Sequence, residues 1–169
     1  HRFLFGSVAL GESAIDLDAA TVAGARETLA GIRAAGSRAW RELLFNASFM
    51  DRMPDIGVVA ANDAVALGVV GPAARAAGLA EDARVASPRL AYAGFAPALL
   101  RRTVGDVQSR LEQRALELVQ TLDLLDDLLD GPVRPASAVN GAEPAGSGVG
   151  LVESPRGATS CIVERDGER

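Results

Sequence analysis

A chain of 169 residues, about half of them apolar, has material for one ordinary domain or for part of a larger one. A net charge of -5 argues against a nucleic-acid partner, and a single cysteine excludes an internal disulfide framework. All 17 basic residues are Arg, a compositional bias that empties the arginine count of functional meaning, and no apolar run is long enough to span a membrane.

The first segment, "RFLFGSVAL", is short and apolar and suits a strand or the end of a buried helix. Asp18 is placed to cap the helix that follows. Val22, Ala25, Leu29, Ile32, Gly36, Trp40 and Leu43 recur at three- and four-residue spacing, which makes one apolar stripe. Gly24, Gly31 and Gly36 weaken this helix, and a kink is expected at Gly36-Ser37. Met53-Pro54 closes a short turn of helix, and "IGVVA", residues 56–60, reads as a strand. Asn62 is the expected cap of the next short helix and Gly68 its stop. From residue 69 to residue 100 no period is sustained, which predicts ordered loop with brief turns.

The strongest pattern comes next. Val104, Val107, Leu111, Ala115, Leu118, Leu122, Leu125 and Leu129 predict a long helix that ends at Gly131-Pro132. Residues 131–147 have the composition of a flexible connection. "GVGLVES" and "ATSCIVERDG" then alternate like the strands of a hairpin around Pro155-Arg156-Gly157. The expected fold is mainly α with a small β element: two long packed helices, a short middle module and a C-terminal hairpin over residues 148–165. The chain is taken as a single partial domain, 1–169, interrupted by the connection at 131–147.

Candidate chemistry is sparse. Arg110, Arg114, Glu117 and Thr121 form a polar line on the long helix, with Arg114 and Glu117 spaced to pair. A solvated face accounts for this line; a seam toward a second protein is the alternative. Asp123, Asp126, Asp127 and Asp130 crowd the last turns, where they oppose the helix dipole and read as a solvated acidic face. Cys161 and His1 belong to no spaced ligand set, so no metal site is expected from this chain alone. "GSGVG" precedes a strand and does not open a helix, which rules out a phosphate loop, and no nucleophile elbow occurs. Pro155-Arg156-Gly157 suits an ordinary hairpin tip. It also suits a guanidinium held in one pose to polarise a bound molecule.

Four segments in order carry a family resemblance. "GVGLVESPRG" resembles the Pro-Arg-Gly stretch of nickel-iron hydrogenase large subunits, and equally that of the related quinone-site subunit of respiratory complex I. "GDVQSRLEQRALELVQT" is similar to the family's Gly-Asp helix, placing Asp106, Arg110, Arg114 and Glu117 on matching positions. "VGPAARAAG" resembles the most characteristic part of the middle module, and tilts the resemblance toward complex-I-like hydrogenases of the formate-hydrogenlyase type. "HRFLFGSVALGESAIDL" resembles the entry to the first helix, although "LGES" departs from the usual paired glycines.

The resemblance implies a central fragment of a hydrogenase-like oxidoreductase large subunit, inactive alone. In the parent, Pro155 would lie against the cofactor as part of its binding site and Arg156 would stand over the reacting centre as its catalytic guanidinium. It implies no cofactor in this chain, a nickel-iron centre in the parent if that parent is a hydrogenase, and thiolate pairs supplied from elsewhere. A small iron-sulfur subunit and membrane subunits would be the partners, on the cytoplasmic side of a membrane-bound complex, and the chain alone would tend to self-associate. The alternatives are the quinone-site subunit of an NADH:quinone oxidoreductase and a non-catalytic assembly module.

Overall fold

Asp18 does begin the first helix. In a computed structural model, its Oδ1 accepts from the Thr21 amide at 2.7 Å and satisfies one of the free N–H groups of the first turn. The structure describes residues 8–9, 12–13, 18–86, 96, 103–130, 146–154 and 157–165. Two two-residue strands, β1 (Val8–Ala9) and β2 (Glu12–Ser13), pair antiparallel ahead of this helix.

Helix α1 (Ala19–Leu44) runs unbroken through Gly36 and Ser37. Gly36 lies against α6 (Val107–Asp130): a Cβ there would stand 3.7 Å from Leu118 Cδ2. The predicted stripe on α1 is half-buried at six of its positions, but Ile32 is exposed and Arg33 takes its place on the packed side. The reason is electrostatic. Arg33 donates to Asp123 and to Asp126 at 2.8 Å each, and Arg26 pairs with Asp130 and donates to the Leu129 carbonyl at 3.0 Å. Three of the four aspartates read as a solvated face are therefore joined to α1, although all remain open to solvent.

Among the described residues four short helices lie between the two long ones: α2 (Ala47–Met50), α3 (Ala61–Ala66), α4 (Gly71–Ala76) and α5 (Ala83–Ala86). Residues 56–60 form no strand; two backbone bonds join them to the start of α6, from the Val59 amide to the Gly105 carbonyl and from the Val107 amide to the Ile56 carbonyl, at 3.0 Å each. Asn62 lies inside α3, whose N-cap is Ala60, so it caps nothing. Gly68 does end that helix, at φ +61°. The stretch read as loop from residue 69 contains α4 and α5. Helices of six and four residues are too short to show a period against an Ala-rich background.

The last element is a hairpin of β3 (Gly146–Ser154) and β4 (Gly157–Arg165), paired from Gly146↔Arg165 to Ser154↔Gly157. It agrees with the expected hairpin and starts two residues earlier, inside the expected connection. The rest of that connection, 131–145, lies outside the described residues, as do Pro155 and Arg156.

The core differs in kind from the one the leucine pattern suggests. Among the described residues its apolar members are Met53, Ala64, Ala74, Ala76, Ala77 and Leu122, and its largest fully buried side chains are Gln113, Asp106 and Ser109. The first half of α6, with the residue that precedes it, turns Asp106, Ser109, Gln113 and Glu117 inward. Leu118 and Leu125 are exposed.

Candidate functional site

The start of α6 is fixed by Gly105 and Asp106. Asp106 is buried; its Oδ1 accepts from the Ser109 amide at 2.7 Å, and its Oδ2 accepts from the Asp55 amide at 3.0 Å. One carboxylate thus caps the helix and holds the preceding loop. Gly105 has φ +78°, and a Cβ on it would run into the Val59 carbonyl. Only glycine fits that close backbone crossing. Arg110 completes the clamp by donating to the carbonyls of Gly57 at 2.9 Å and Gly105 at 2.6 Å.

Two turns further along, α6 meets a buried ion-pair cluster centred on Arg75. Helix α4 is built of Gly, Pro and Ala around this one long side chain, and the small neighbours let its backbone approach α6 closely. Arg75 is 3% exposed. Its Nε and Nη2 donate to the two carboxylate oxygens of Glu117, at 2.7 and 3.2 Å. Its Nη1 donates to Glu153 Oε2 and to the Glu81 carbonyl, both at 3.0 Å, and stands 3.2 Å from Asp82 Oδ2. Gln113, fully buried, donates to Glu117 Oε1 at 2.7 Å. Arg84 grips Asp82 with Nε at 2.9 Å and Nη2 at 2.6 Å.

Burial pushes the Asp82 carboxyl up, but the Arg84 hydrogen bonds and the charges of Arg84 and Arg75 outweigh it and hold the group below the usual carboxylate range. Burial likewise lowers Arg75, and the pairs with Glu117 and Glu153 more than reverse it. The planar guanidinium suits this place because its fork matches a carboxylate and its remaining donor serves two further acceptors.

Glu153 brings the hairpin into the cluster. It stands opposite Ala158, one residue before the last pair of the ladder, Ser154↔Gly157. Its Oε2 accepts from Arg75 and its Oε1 from the Ala83 amide, at 2.8 Å. Beside it, Ser154 Oγ donates to the Gly157 carbonyl at 2.8 Å, and Thr159 Oγ1 donates to Ser154 Oγ at 3.2 Å. The residues flanking Pro155 and Arg156 are thus anchored on both strands.

Of the polar line read on α6, Arg110 and Glu117 serve these two clusters, together with Asp106, which the resemblance added. Arg114 is exposed and has no ion-pair partner among the described residues, because Arg75 takes Glu117. Arg75, Asp82, Arg84 and Glu153 escaped the reading of single residues. The available signal was one arginine between alanine pairs, Ala73-Ala74 and Ala76-Ala77, in a stretch too apolar to be a solvated face. Cys161 is exposed on β4, and no group of three His, Cys, Asp or Glu among the described residues could hold a metal. These residues do not form a donor set for a nickel-iron centre. No helix among the described residues is long and apolar enough to cross a membrane.

Comparison with known proteins places this geometry in a family. The model of the family described as "Respiratory-chain NADH dehydrogenase, 49 Kd subunit" matches residues 1–142. An NADH-quinone oxidoreductase subunit of Salinispora arenicola is 35% identical over 119 residues, covering 70% of this chain and 30% of its own. An F(420)H(2) dehydrogenase subunit of Methanosarcina mazei is 30% identical over 141 residues, covering 77% and 38%. The carbon monoxide-induced hydrogenase of Rhodospirillum rubrum is 34% identical over 128 residues, covering 72% and 34%. Among solved structures, a chain of the membrane-bound sulfane sulfur reductase, an archaeal respiratory membrane complex, superposes with a TM-score of 0.76 at 27% identity. That match covers 93% of this chain and 45% of the other. The chain therefore spans less than half the length of each of these relatives.

Proposed function

The chain belongs to the family of the 49 kDa subunit of respiratory-chain NADH dehydrogenase, and from that premise we propose that it forms part of the large subunit of a membrane-bound, complex-I-type oxidoreductase. In this reading it frames the site where electrons reach their final acceptor, and Arg156 acts there on the reacting molecule. The observation that carries the reading is the anchored hairpin. Glu153, two residues before Pro155, is tied to a buried arginine of α4 and through it to α6. A fixed frame of this kind suits a guanidinium that must meet a reacting centre in one pose, since small displacements there cost rate.

Quinone is the acceptor that the similarity to the NADH-quinone oxidoreductase subunit favours. Protons are the second reading, favoured by the similarity to the carbon monoxide-induced hydrogenase; the nickel-iron centre would then be held by residues other than those described here. An iron-sulfur partner and membrane subunits follow from either reading, with the chain peripheral to the membrane.

The test is the purified complex assayed for both chemistries. Quinone reduction without bound nickel is the expected result. Hydrogen evolution in proportion to nickel would select the second reading, and neither activity in an intact complex would leave only a scaffold role.

A further inference from the structure

Both oxygens of the Glu153 carboxylate are used, and by two different elements. Oε2 accepts from Arg75 of α4, and Oε1 accepts from the Ala83 amide at the start of α5. Among the described residues no other side chain of the hairpin has a hydrogen bond or ion pair to the helices. The remaining polar bonds of that end, Ser154 to Gly157 and Thr159 to Ser154, stay within the hairpin. The apolar residues Val149, Leu151, Val152, Ile162 and Val163 of the two strands are exposed.

We propose that Glu153 is a positioning residue: it sets where the Ser154↔Gly157 end of the hairpin stands relative to α6, by offering two acceptors to two donors that face it together. This rests on the functional reading above only for its consequence in turnover. The positioning itself is a property of the chain.

The chemistry makes a sharp distinction between substitutions. Glutamine matches glutamate in size but has one acceptor oxygen and one NH2 group. Whichever way its amide turns, one of the two donors meets another donor. Aspartate is shorter by one methylene yet keeps two acceptor oxygens and the charge. A role in packing alone ranks Glu153→Gln closer to wild type than Glu153→Asp. A role in positioning ranks them the other way.

Cys161 is the single cysteine of the chain, is exposed, and sits opposite Gly150, on the face of the hairpin away from Glu153. A spin label there and a second at Arg114→Cys, an exposed position on α6, report the distance from hairpin to helix in the intact chain. We expect one narrow distance in the wild-type background, a partly restored narrow distance in Glu153→Asp, and a broad, shifted distribution in Glu153→Gln. Arg33→Gln, which breaks two α1–α6 ion pairs away from the hairpin, serves as the control and should leave the distance unchanged. A wild-type distribution in Glu153→Gln, or Gln ranked above Asp, overturns the proposal.

The same ranking should hold for turnover in the assembled complex, with kcat about a hundredfold lower in Glu153→Gln at unchanged KM. If the distances rank as expected while Arg156→Lys turns over normally, positioning by Glu153 stands and the functional reading of Arg156 falls.

Discussion

Replacing Arg75 with leucine would leave Glu117, Glu153 and Asp82 around an apolar side chain with no compensating charge in reach of all three. Breaking a buried ion pair from one side costs about 3–5 kcal/mol, because the stranded charge keeps its desolvation penalty. Arg75→Leu should lose that much in a urea titration; a loss under about 1 kcal/mol would mean that water reaches the cluster. Asp82 adds a pH signature. Its carboxyl is held below the ordinary carboxylate value in the folded chain, so the unfolded chain binds the proton more tightly. The resulting stabilisation is complete above about pH 4–5 and fades as pH falls through the lower folded value. Thermal melts of the wild type should therefore drop steeply in acid. Asp82→Asn should melt lower at neutral pH and show a shallower acid slope, and parallel curves for the two proteins would contradict the assignment.

At the scale of elements, two glycines should respond in opposite directions. Gly24 is exposed within α1, and a Cβ there meets nothing within 4 Å. Gly24→Ala should stabilise by about 0.5–1 kcal/mol. Gly105 combines φ +78° with the Val59 carbonyl in the path of a Cβ. Gly105→Ala should cost at least about 2 kcal/mol, through left-handed strain and the forced separation of α6 from residues 55–59. Urea titrations of the two variants check both signs. The contrast also marks what the sequence could convey. Helix α1, its Asp18 cap and the hairpin were legible because a cap residue and a regular alternation are local signals. The half-buried side of α1 was legible except at Ile32, which Arg33 displaces in order to reach Asp123 and Asp126, 90 and 93 residues away. The inward face of α6 was read only in part, for the same reason: Val104, Val107, Leu111, Ala115, Leu122 and Leu129 of the stripe are buried or half-buried, while Leu118 and Leu125 are exposed. Its leucines announce an apolar stripe, whereas Asp106, Gln113 and Glu117 face inward because Asp106 and Glu117 find their partners, Asp55 and Arg75, in segments without a period of their own. Family resemblance flagged Asp106, Arg110 and Glu117, yet spacing alone joined Glu117 to Arg114. A long-range ion pair has no sequence spacing by which to be recognised.

For the molecule as a whole, the surface is as informative as the core. Phe45 at the end of α1 is 88% exposed, and five aliphatic residues of the hairpin stand open on both of its faces. The chain spans less than half the length of the relatives described above, and in a complete large subunit such faces would be covered. Isolated, the chain should bind an environment-sensitive apolar dye or self-associate. Light scattering that shows a clean monomer, together with no dye binding, would contradict this account of its surface. The proposed role of Arg156 rests on its neighbours Glu153 and Ser154, which that fold holds. Arg156→Lys keeps a positive charge and loses the planar, multi-donor guanidinium. The most direct test is turnover per mole of assembled complex, wild type against Arg156→Lys, with cofactor content matched between the two. Arg156 at the reacting centre predicts a loss of at least about a hundredfold, the scale set by removing one preorganised electrostatic group. A lysine variant that keeps more than roughly a third of the wild-type rate would make Arg156 a turn residue and nothing more.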